Sequence, residues 1–574
     1  MFPALLSRPL TCVVVLAATL ATCALSAAPA PAATGRVALD VGLPAPANNV
    51  DSAGANSAVA LPDGGAVLFG NDPGKGIVAA ALRPNLSLDT SFGQGGVAHV
   101  PVAGGQFLFQ SALRQADGRL VLVGTTPSRS NVFELRQLAL VRLSPNGALD
   151  TSFGSGGVAQ PGIQGSCGGS CEPAALGPDG TIVVTGNTGA NSPAIATNPN
   201  APNDFGWVVA RLTASGSLDP TFGQNGVENV PGSTPGTSFG YGVAIDSEGG
   251  ITLLGAQGTT GQNTTPRVAR LLDDGSPDPS FNDGSPAQVP IAIAFHFVVG
   301  PDGSSTVLGF QAVARLTPGG AVDSSFGNQG TVPLASGGFA RILAAPGGGV
   351  MVYRPDTPQP RPASRASIVA DRIDATGQVT EAAISLPYGG GTASFLGARH
   401  RILPVPHLSQ NGFVVGPIVT RPNGGFLAAG GISTVQPSGE GAGFSGAQFA
   451  ATALTPALTL DRAIGLATNH ATVSLHVARQ RARTAFNRRA VNVLVTSSGA
   501  GLTLIRVRDR HHHTLAVGLE PVYKRGTTRV RVPIARSGLR VLRHGRRVGV
   551  RATATFRNLL AATKRGSSRA ADLR

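Results

Sequence analysis

The chain has 574 residues, 42% hydrophobic and 13% charged, a length that excludes one ordinary core and a balance that fits a folded protein poor in surface charge. Its 78 glycines and 43 prolines require many turns yet stay below the proportion that marks low-complexity sequence. The formal charge of +15 is concentrated: residues 466–574 carry 23 Lys and Arg against Asp509, Glu520 and Asp572, and the remainder is slightly acidic. Uniform codon bias would not confine the excess to one end.

At the N-terminus a short segment with Arg8 as its only charge precedes an apolar stretch at 12–25 and the small-residue run 26–30. This pattern predicts a secretory signal over residues 1–28. Leu20-Ala21-Thr22-Cys23 approximates a lipoprotein box, from which Thr22 departs. No later segment approaches the roughly twenty apolar residues of a membrane span, so none is expected after cleavage. Two cysteines then remain, in Cys167-Gly168-Gly169-Ser170-Cys171. In an oxidising compartment the simplest expectation is a Cys167–Cys171 disulfide. A metal site would need further ligands nearby, and a redox pair would need a βαβ setting.

From residue 36 to 465 two motifs alternate. The first is LDTSFGQGGV at 88–97, repeated as LDTSFGSGGV at 149–158, LDPTFGQNGV at 218–227 and VDSSFGNQGT at 322–331, with a weaker copy, PDPSFNDGSP, at 277–286. Copies six and seven, RIDATGQVT at 372–380 and LTPALTLDRAIG at 454–465, keep the preceding strand and lose the signature. The aspartate slot (Asp89, Asp150, Asp219, Asp278, Asp323, Thr380, Asp461) recurs at spacings of 61, 69, 59, 45, 57 and 81 residues. The second motif is a turn followed by a short apolar strand, as in PDGGAVLFG at 62–70 and ADGRLVLVG at 116–124, and it also occurs seven times.

Each unit divides into four short strands; in the second copy they are 111–114, 120–123, 138–143 and 158–160. Asp-Gly and Asn-Gly suit the hairpin turns because they tolerate positive φ. The second strand of a unit is apolar without alternation, as expected when both faces are covered. Units that cannot bury their apolar faces alone predict an all-β fold, a seven-bladed β-propeller of four-stranded repeats of about sixty residues, with a linear solenoid as the competing arrangement. Gly35-Arg36-Val37-Ala38 is similar to Gly96-Val97-Ala98, the outermost strand of a unit. The last copy lacks that strand, so the N-terminal segment is expected to complete it and remove two exposed edges.

The unit ARLTPxGxxDxSFGxxG resembles the delta-60 repeat of secreted and cell-surface bacterial proteins, over about 430 residues. The resemblance implies a propeller-like fold and an extracellular setting. It brings no established activity and no catalytic residues.

The repeated aspartates Asp89, Asp150, Asp219, Asp278, Asp323 and Asp461 could be read as cation ligands, but calcium needs roughly six to eight oxygens and each copy offers one or two carboxylates. An Asx turn closed by the following Ser or Thr is the expected role. No metal or cofactor is expected. Arginine lies eight residues earlier in four copies, Arg142/Asp150, Arg211/Asp219, Arg270/Asp278 and Arg315/Asp323, which predicts an ion pair within or between blades. Ala81 and Ala453 stand there in the first and seventh copies, as atypical terminal repeats do.

Residues 466–560 change character. Val491–Val495, 502–508, 515–519, Thr528–Val532 and 547–556 read as strands, with Val, Ala and Phe on one face and Arg and Thr on the other, which predicts a small basic β-sandwich. It resembles the Arg-rich C-terminal β-domains of exported actinobacterial proteins. His511-His512-His513 reads as a polar turn, and 561–574 as a disordered tail.

The expected function is an exported, non-enzymatic repeat scaffold for binding or adhesion at the cell envelope. Its basic domain would attach to an anionic envelope polymer, and its propeller would take a carbohydrate or protein ligand. The alternative is a secreted propeller hydrolase or lyase acting on polysaccharide or peptide, with a site in the channel or in loop 384–412. Against it, His99, His296, His400 and His407 fall at unrelated places in the repeat, without a nucleophile motif, HExxH pattern or phosphate loop.

Overall fold

The computed structural model describes residues 36–39, 55, 57–72, 76–102, 107–126, 136–165, 172–188, 206–233, 238–258, 264–334, 341–345, 347–355, 368–384, 418–435, 444–456, 461, 472–497, 501–522, 526–543, 547–558 and 563–573. The expected signal at 1–28, the cysteines Cys167 and Cys171, and the histidines His400 and His407 lie outside these residues.

Short hairpin turns set the architecture. In many, an Asp or Asn carboxyl or amide oxygen accepts a backbone N–H two residues on, as Asp63 Oδ1 does from Gly65 (2.8 Å) and Asp117 Oδ1 from Arg119 (2.9 Å). The strands so joined are antiparallel and fall into four-stranded groups. The first group is Ser57–Ala60, Ala66–Asp72, Gly76–Leu82 and Val97–Pro101; the second is Leu108–Arg114, Leu120–Thr126, Arg136–Leu143 and Val158–Ala159. The third, Ala174–Leu176, Ile182–Thr188, Gly206–Leu212 and Val227–Asn229, is linked to the second by Gln164–Gly165, which pairs with both. Phe239–Ile245, Ile251–Gly258, Thr264–Leu271 and Ala287–Gln288 form the fourth, and Ala294–Val299, Ser305–Gly309, Ala312–Leu316 and Thr331–Pro333 the fifth. The sixth is Arg341–Ala345, Gly349–Pro355, Ile368–Ile373 and Val379–Ile384.

The next group has three consecutive strands, Ile418–Thr420, Phe426–Val435 and Phe444–Leu454, and takes its fourth from the other end of the chain. Arg36–Leu39 pairs antiparallel with Phe444–Leu454, from Arg36 opposite Thr452 to Leu39 opposite Phe449. The edge that Phe444–Leu454 would otherwise expose is thereby covered.

Successive groups are glued by apolar clusters between their faces. Phe69 meets Leu122, Val121 meets Val184, and Trp207 meets Leu253 within such clusters. Val268 shares one with Val307, Leu308 with Val352, and Tyr353 with Ala428. Leu427 and Ala451 then pack with Leu68 and Ala80, so the last group returns onto the first. Each large side chain buried this way contributes about 2 kcal/mol. The fold is that of a β-propeller.

Because neighbouring strands are antiparallel, the turns after the first and third strands of a group lie at one end of the propeller. The connections after the second and fourth strands lie at the other. The first end carries the repeated tight turns, and the second carries the segments that vary in length and composition.

After the propeller, Val473–Val477, Ala490–Ser497 and Gly526–Pro533 form a three-stranded sheet. Gly501–Asp509, Thr514–Val522, Val548–Asn558, Thr563–Ser567 and Ala571–Leu573 form a second sheet. Val493 and Val532 of one share a core with Ile505 and Ala552 of the other. Helices α1 (Ala482–Asn487) and α2 (Arg536–Leu542) add Ala482, Ala485 and Leu542 to it. Neither helix has a side-chain N-cap bond, and both are shorter than the window in which helical periodicity shows. No helix among the described residues is long and apolar enough to cross a membrane.

Residues 563–573, expected as part of a disordered tail, are instead ordered and include two strands. Thr563–Ser567 pairs with Val548–Asn558, and Ala571–Leu573 with Val548–Val550. Leu573 is fully buried, and Ser568 exchanges hydrogen bonds with Ala552, N–H to O at 2.8 Å and N–H to Oγ at 2.9 Å. One apolar anchor and a free sheet edge order a segment whose composition is that of a tail.

Candidate ligand site at the channel mouth

The repeat's signature residues form a clasp at the tight-turn end. Arg142 Nε lies 2.9 Å from Asp150 Oδ2, Arg211 Nε 2.8 Å from Asp219 Oδ2, Arg270 Nε 3.2 Å from Asp278 Oδ2 and Arg315 Nε 3.3 Å from Asp323 Oδ2. The pairs are internal to a unit, but the same guanidinium also reaches forward. Arg142, Arg211 and Arg315 donate to the carbonyls of Ala214, Asp273 and Ala375, in the turns of the following units. Each of these three cations also stands over the signature phenylalanine of its own unit, 4.6 Å from Phe153, 4.9 Å from Phe222 and 5.6 Å from Phe326, a favourable cation–π placement.

The phenylalanine completes the junction. Gly147 and Gly216 adopt φ of 85° and 89°, and a Cβ at either would meet the ring of Phe92 or Phe153 at 2.7 Å. Beside them Gly93 N donates to Asn146 O (2.7 Å) and Gly154 N to Ser215 O (2.9 Å). The aspartates are occupied locally. Asp89, Asp150, Asp219, Asp278 and Asp323 each accept the hydroxyl and the N–H of the Ser or Thr two residues on. The Ser91, Ser152 and Thr221 hydroxyls hold the carboxyls of Asp89, Asp150 and Asp219 below the usual carboxylate range.

The terminal copies solve the missing arginine differently. Asp89 takes Arg83 at 3.3 Å, on the surface. Asp461 lies 3.8 Å from Arg421, whose Nε and Nη2 donate to Gly64 O (3.1 Å) and Pro84 O (3.0 Å) of the first unit. Arg421 precedes the turn Pro422-Asn423-Gly424, a place with no arginine in the other copies.

The other end differs. The first strands of neighbouring units contact one another and form the wall of the channel. Three of them carry a bulge at the same position of the repeat, at Gln110, Tyr241 and Phe295, a device that re-aims side chains near sites. Ser111, Gly242, His296 and Arg341 occupy equivalent positions, opposite Val123, Leu254, Leu308 and Tyr353.

Arg341 begins its strand and its side chain is 13% exposed, 3.6 Å from Oε1 of Glu172, which is 61% exposed. Glu172 belongs to the third unit and Arg341 to the sixth. These units are not neighbours, so the pair spans the mouth. Glu172 also abuts the fourth unit, its carbonyl accepting from Val243 N at 3.2 Å. His296, on the intervening wall strand, is 5% exposed. Burial, reinforced by the Arg341 charge, pushes its pKa well below the ordinary value. Burial also lowers the Arg341 pKa, opposed by Glu172, and raises that of Tyr241. Tyr241 stacks on Phe239 with ring centroids 6.4 Å apart and planes 9° from parallel. Also at this end, His99 Nδ1 lies 2.8 Å from the buried Asp72 Oδ2.

In the C-terminal module, Arg508 stands directly opposite Arg551 in the second sheet, both exposed. Like charges so placed repel. Arg529 and Arg531 are exposed on the first sheet. Among the described residues of this module the carboxylate pairs are Arg547 with Asp572 and His513 with Asp509. Asp509 Oδ1 accepts the N–H groups of His511 and His513, both at 2.9 Å, making the His511–His513 turn. Burial opposes its charge, yet these bonds and that from the His513 ring hold its carboxyl below the ordinary value.

A family model described as a domain of unknown function, DUF5122, beta-propeller, matches residues 115–153, 204–222 and 249–281, within the second to fourth units. No curated protein matches the chain. Among solved structures, an ulvan lyase of polysaccharide lyase family PL25 is 9% identical, with 76% of this chain and 96% of that one covered and a TM-score of 0.39. An α-L-arabinofuranosidase of Fusarium graminearum is 9% identical, covering 72% and 98%, with a TM-score of 0.35. A glucose dehydrogenase is 17% identical, covering 56% and 95%, with a TM-score of 0.31. At such identities and scores these likenesses say nothing about what this chain binds. The family match and the sheet arrangement together make the chain a β-propeller protein.

Proposed function

We propose that the chain is a seven-bladed propeller followed by a basic β-sandwich, acting outside the cell as a non-enzymatic binding scaffold at the envelope. Residues 1–28 direct export, and Cys167 and Cys171 then pair. The sandwich holds the molecule to an anionic envelope polymer, and the channel mouth takes the ligand. The observation that carries this reading is the division between the two ends. Asp, Ser, Arg and Phe of the signature are engaged in clasps at one end, while the Glu172–Arg341 pair, Tyr241 and the buried His296 belong to or adjoin the wall strands toward the other. The apolar cluster between the last group and the first supports seven blades in a closed ring. The opposed, exposed Arg508 and Arg551 support attraction to a polyanion.

Co-sedimentation with isolated cell walls tests the anchoring. The full chain is expected in the pellet at low salt and in the supernatant at about 0.5 M salt, where charges are screened within a few ångströms. Deleting residues 466–574 should abolish the low-salt pellet; equal sedimentation without them defeats the reading. That module has its own core, so its removal leaves the propeller intact.

One observation favours a second reading, a secreted hydrolase or lyase. His296 occupies the same repeat position as Arg341 on the neighbouring wall strand, and burial with the Arg341 charge keeps its imidazole neutral. Polysaccharide cleavage that disappears in His296→Gln would establish it.

A further inference from the structure

The guanidinium of Arg341 is nearly buried, yet among the described residues its one ionic partner is Glu172, at 3.6 Å. That distance is beyond a hydrogen bond. A guanidinium offers five donors in a planar fork that matches a carboxylate in two parallel bonds, and a buried cation left short of partners is costly. The two halves of the pair differ in freedom. Arg341 is fixed on a wall strand, opposite Tyr353 in a paired sheet, whereas the Glu172 side chain is more than half exposed. Glu172 is the half that can leave.

Tyr241 belongs to the strand that Glu172 abuts, since Glu172 bridges to Gly242. Its ring, stacked on Phe239 and half-buried, gives the mouth a flat apolar surface with a polar tip. A cation behind a displaceable carboxylate, with an aromatic pair on the strand that Glu172 bridges, suits a ring-shaped ligand that carries its own carboxylate.

We propose that Arg341 is the anion-binding residue of a channel-mouth site in which Glu172 stands in for the ligand, and that the external ligand is a carboxylate-bearing sugar, a uronate. The inference rests on the reading that the mouth takes a ligand. It adds the chemical class and a built-in competitor: the uronate carboxylate displaces Glu172 and closes the fork on Arg341. Binding and release of Glu172 are then mutually coupled.

Calorimetric titration of the full chain with a homogalacturonan oligosaccharide tests this. Glu172→Gln, which removes the competitor and leaves the cation, is expected to tighten binding by about two- to fivefold, the worth of an exposed pair. Arg341→Gln is expected to weaken it by at least about tenfold. The fully methyl-esterified oligosaccharide should bind as weakly to the wild type as the acid form does to Arg341→Gln. If Arg341→Gln does not fold, Glu172→Gln and the ester still decide. Unchanged or weaker binding by Glu172→Gln, ester binding equal to acid binding, or no binding of the acid form overturns the proposal. Acetate competing as effectively as the oligosaccharide overturns its sugar component. Cleavage of the oligosaccharide instead of stable binding would defeat the non-enzymatic reading while leaving the Arg341 site in place.

Discussion

The two ends of the propeller use the same residue types for opposite purposes. At the tight-turn end, Arg211 meets Asp219, Asp273 and Thr221 at 2.8 to 3.0 Å and lies over Phe222; every donor has a use and the charge is fixed. At the mouth, Arg341 faces one loosely held Glu172. Arg211, with a partner at every nitrogen, stabilises a junction, whereas Arg341, with one ionic partner among the described residues, is the cation we propose is open to a ligand. Arg211 and Arg341 differ in the number of partners that the described residues supply to each.

Four measurements test that contrast. The largest effect should come from Phe153→Ala, which removes a fully buried ring from the junction between the second and third units and should cost about 3–5 kcal/mol in denaturant unfolding. Arg211→Ala leaves Asp219 without its buried partner and should cost about 2–3 kcal/mol; an unchanged melting temperature would remove the clasp as a stabilising device. Arg341→Gln should change stability by no more than about 1 kcal/mol, since it relieves an under-matched cation. A loss as large as that of Arg211→Ala would erase the distinction between the ends.

The fourth measurement is pH, because the ends titrate in separate windows. His296 has a depressed pKa when folded, so the unfolded chain binds more protons and stability falls as pH drops below the unfolded histidine value of 6.5. Asp150 and Asp219 are likewise depressed, so their contribution is present above the unfolded value of 3.8 and is lost as pH falls through their folded pKa values. Two acid steps are expected in the melting temperature. His296→Gln should remove the first and Asp219→Asn should shrink the second, while a single step below pH 4 would mean that the mouth histidine does not titrate on unfolding.

Much of the propeller is legible in sequence because turn chemistry is local. Asp117-Gly118 and Asn146-Gly147 announce hairpins whatever surrounds them, and the eight-residue spacing of Arg142 and Asp150 is fixed by one strand and one turn. The forward reach of Arg142 to Ala214, and the replacement of a missing arginine by Arg421, depend on how units stack. No spacing within a repeat encodes that. The mouth is less legible still. Glu172 and Arg341 are brought together by the ring, across unrelated stretches of chain, and nothing periodic marks either. In the C-terminal module the period-two strands are plain, whereas the short helices, without side-chain N-caps, are held by the few apolar residues they bury in the core, and the edge strand Thr563–Ser567 by its pairing.

The pairing of Arg36–Leu39 with Phe444–Leu454 has a kinetic consequence. Those partners are separated by most of the chain, so their ladder can form only after the intervening units have folded, and loop closure over such a span is slow. The seam is therefore the last part of the ring to be made and the natural place for it to open. Amide exchange should be fastest there among the paired strands, and unfolding should start as a ring becoming an open arc.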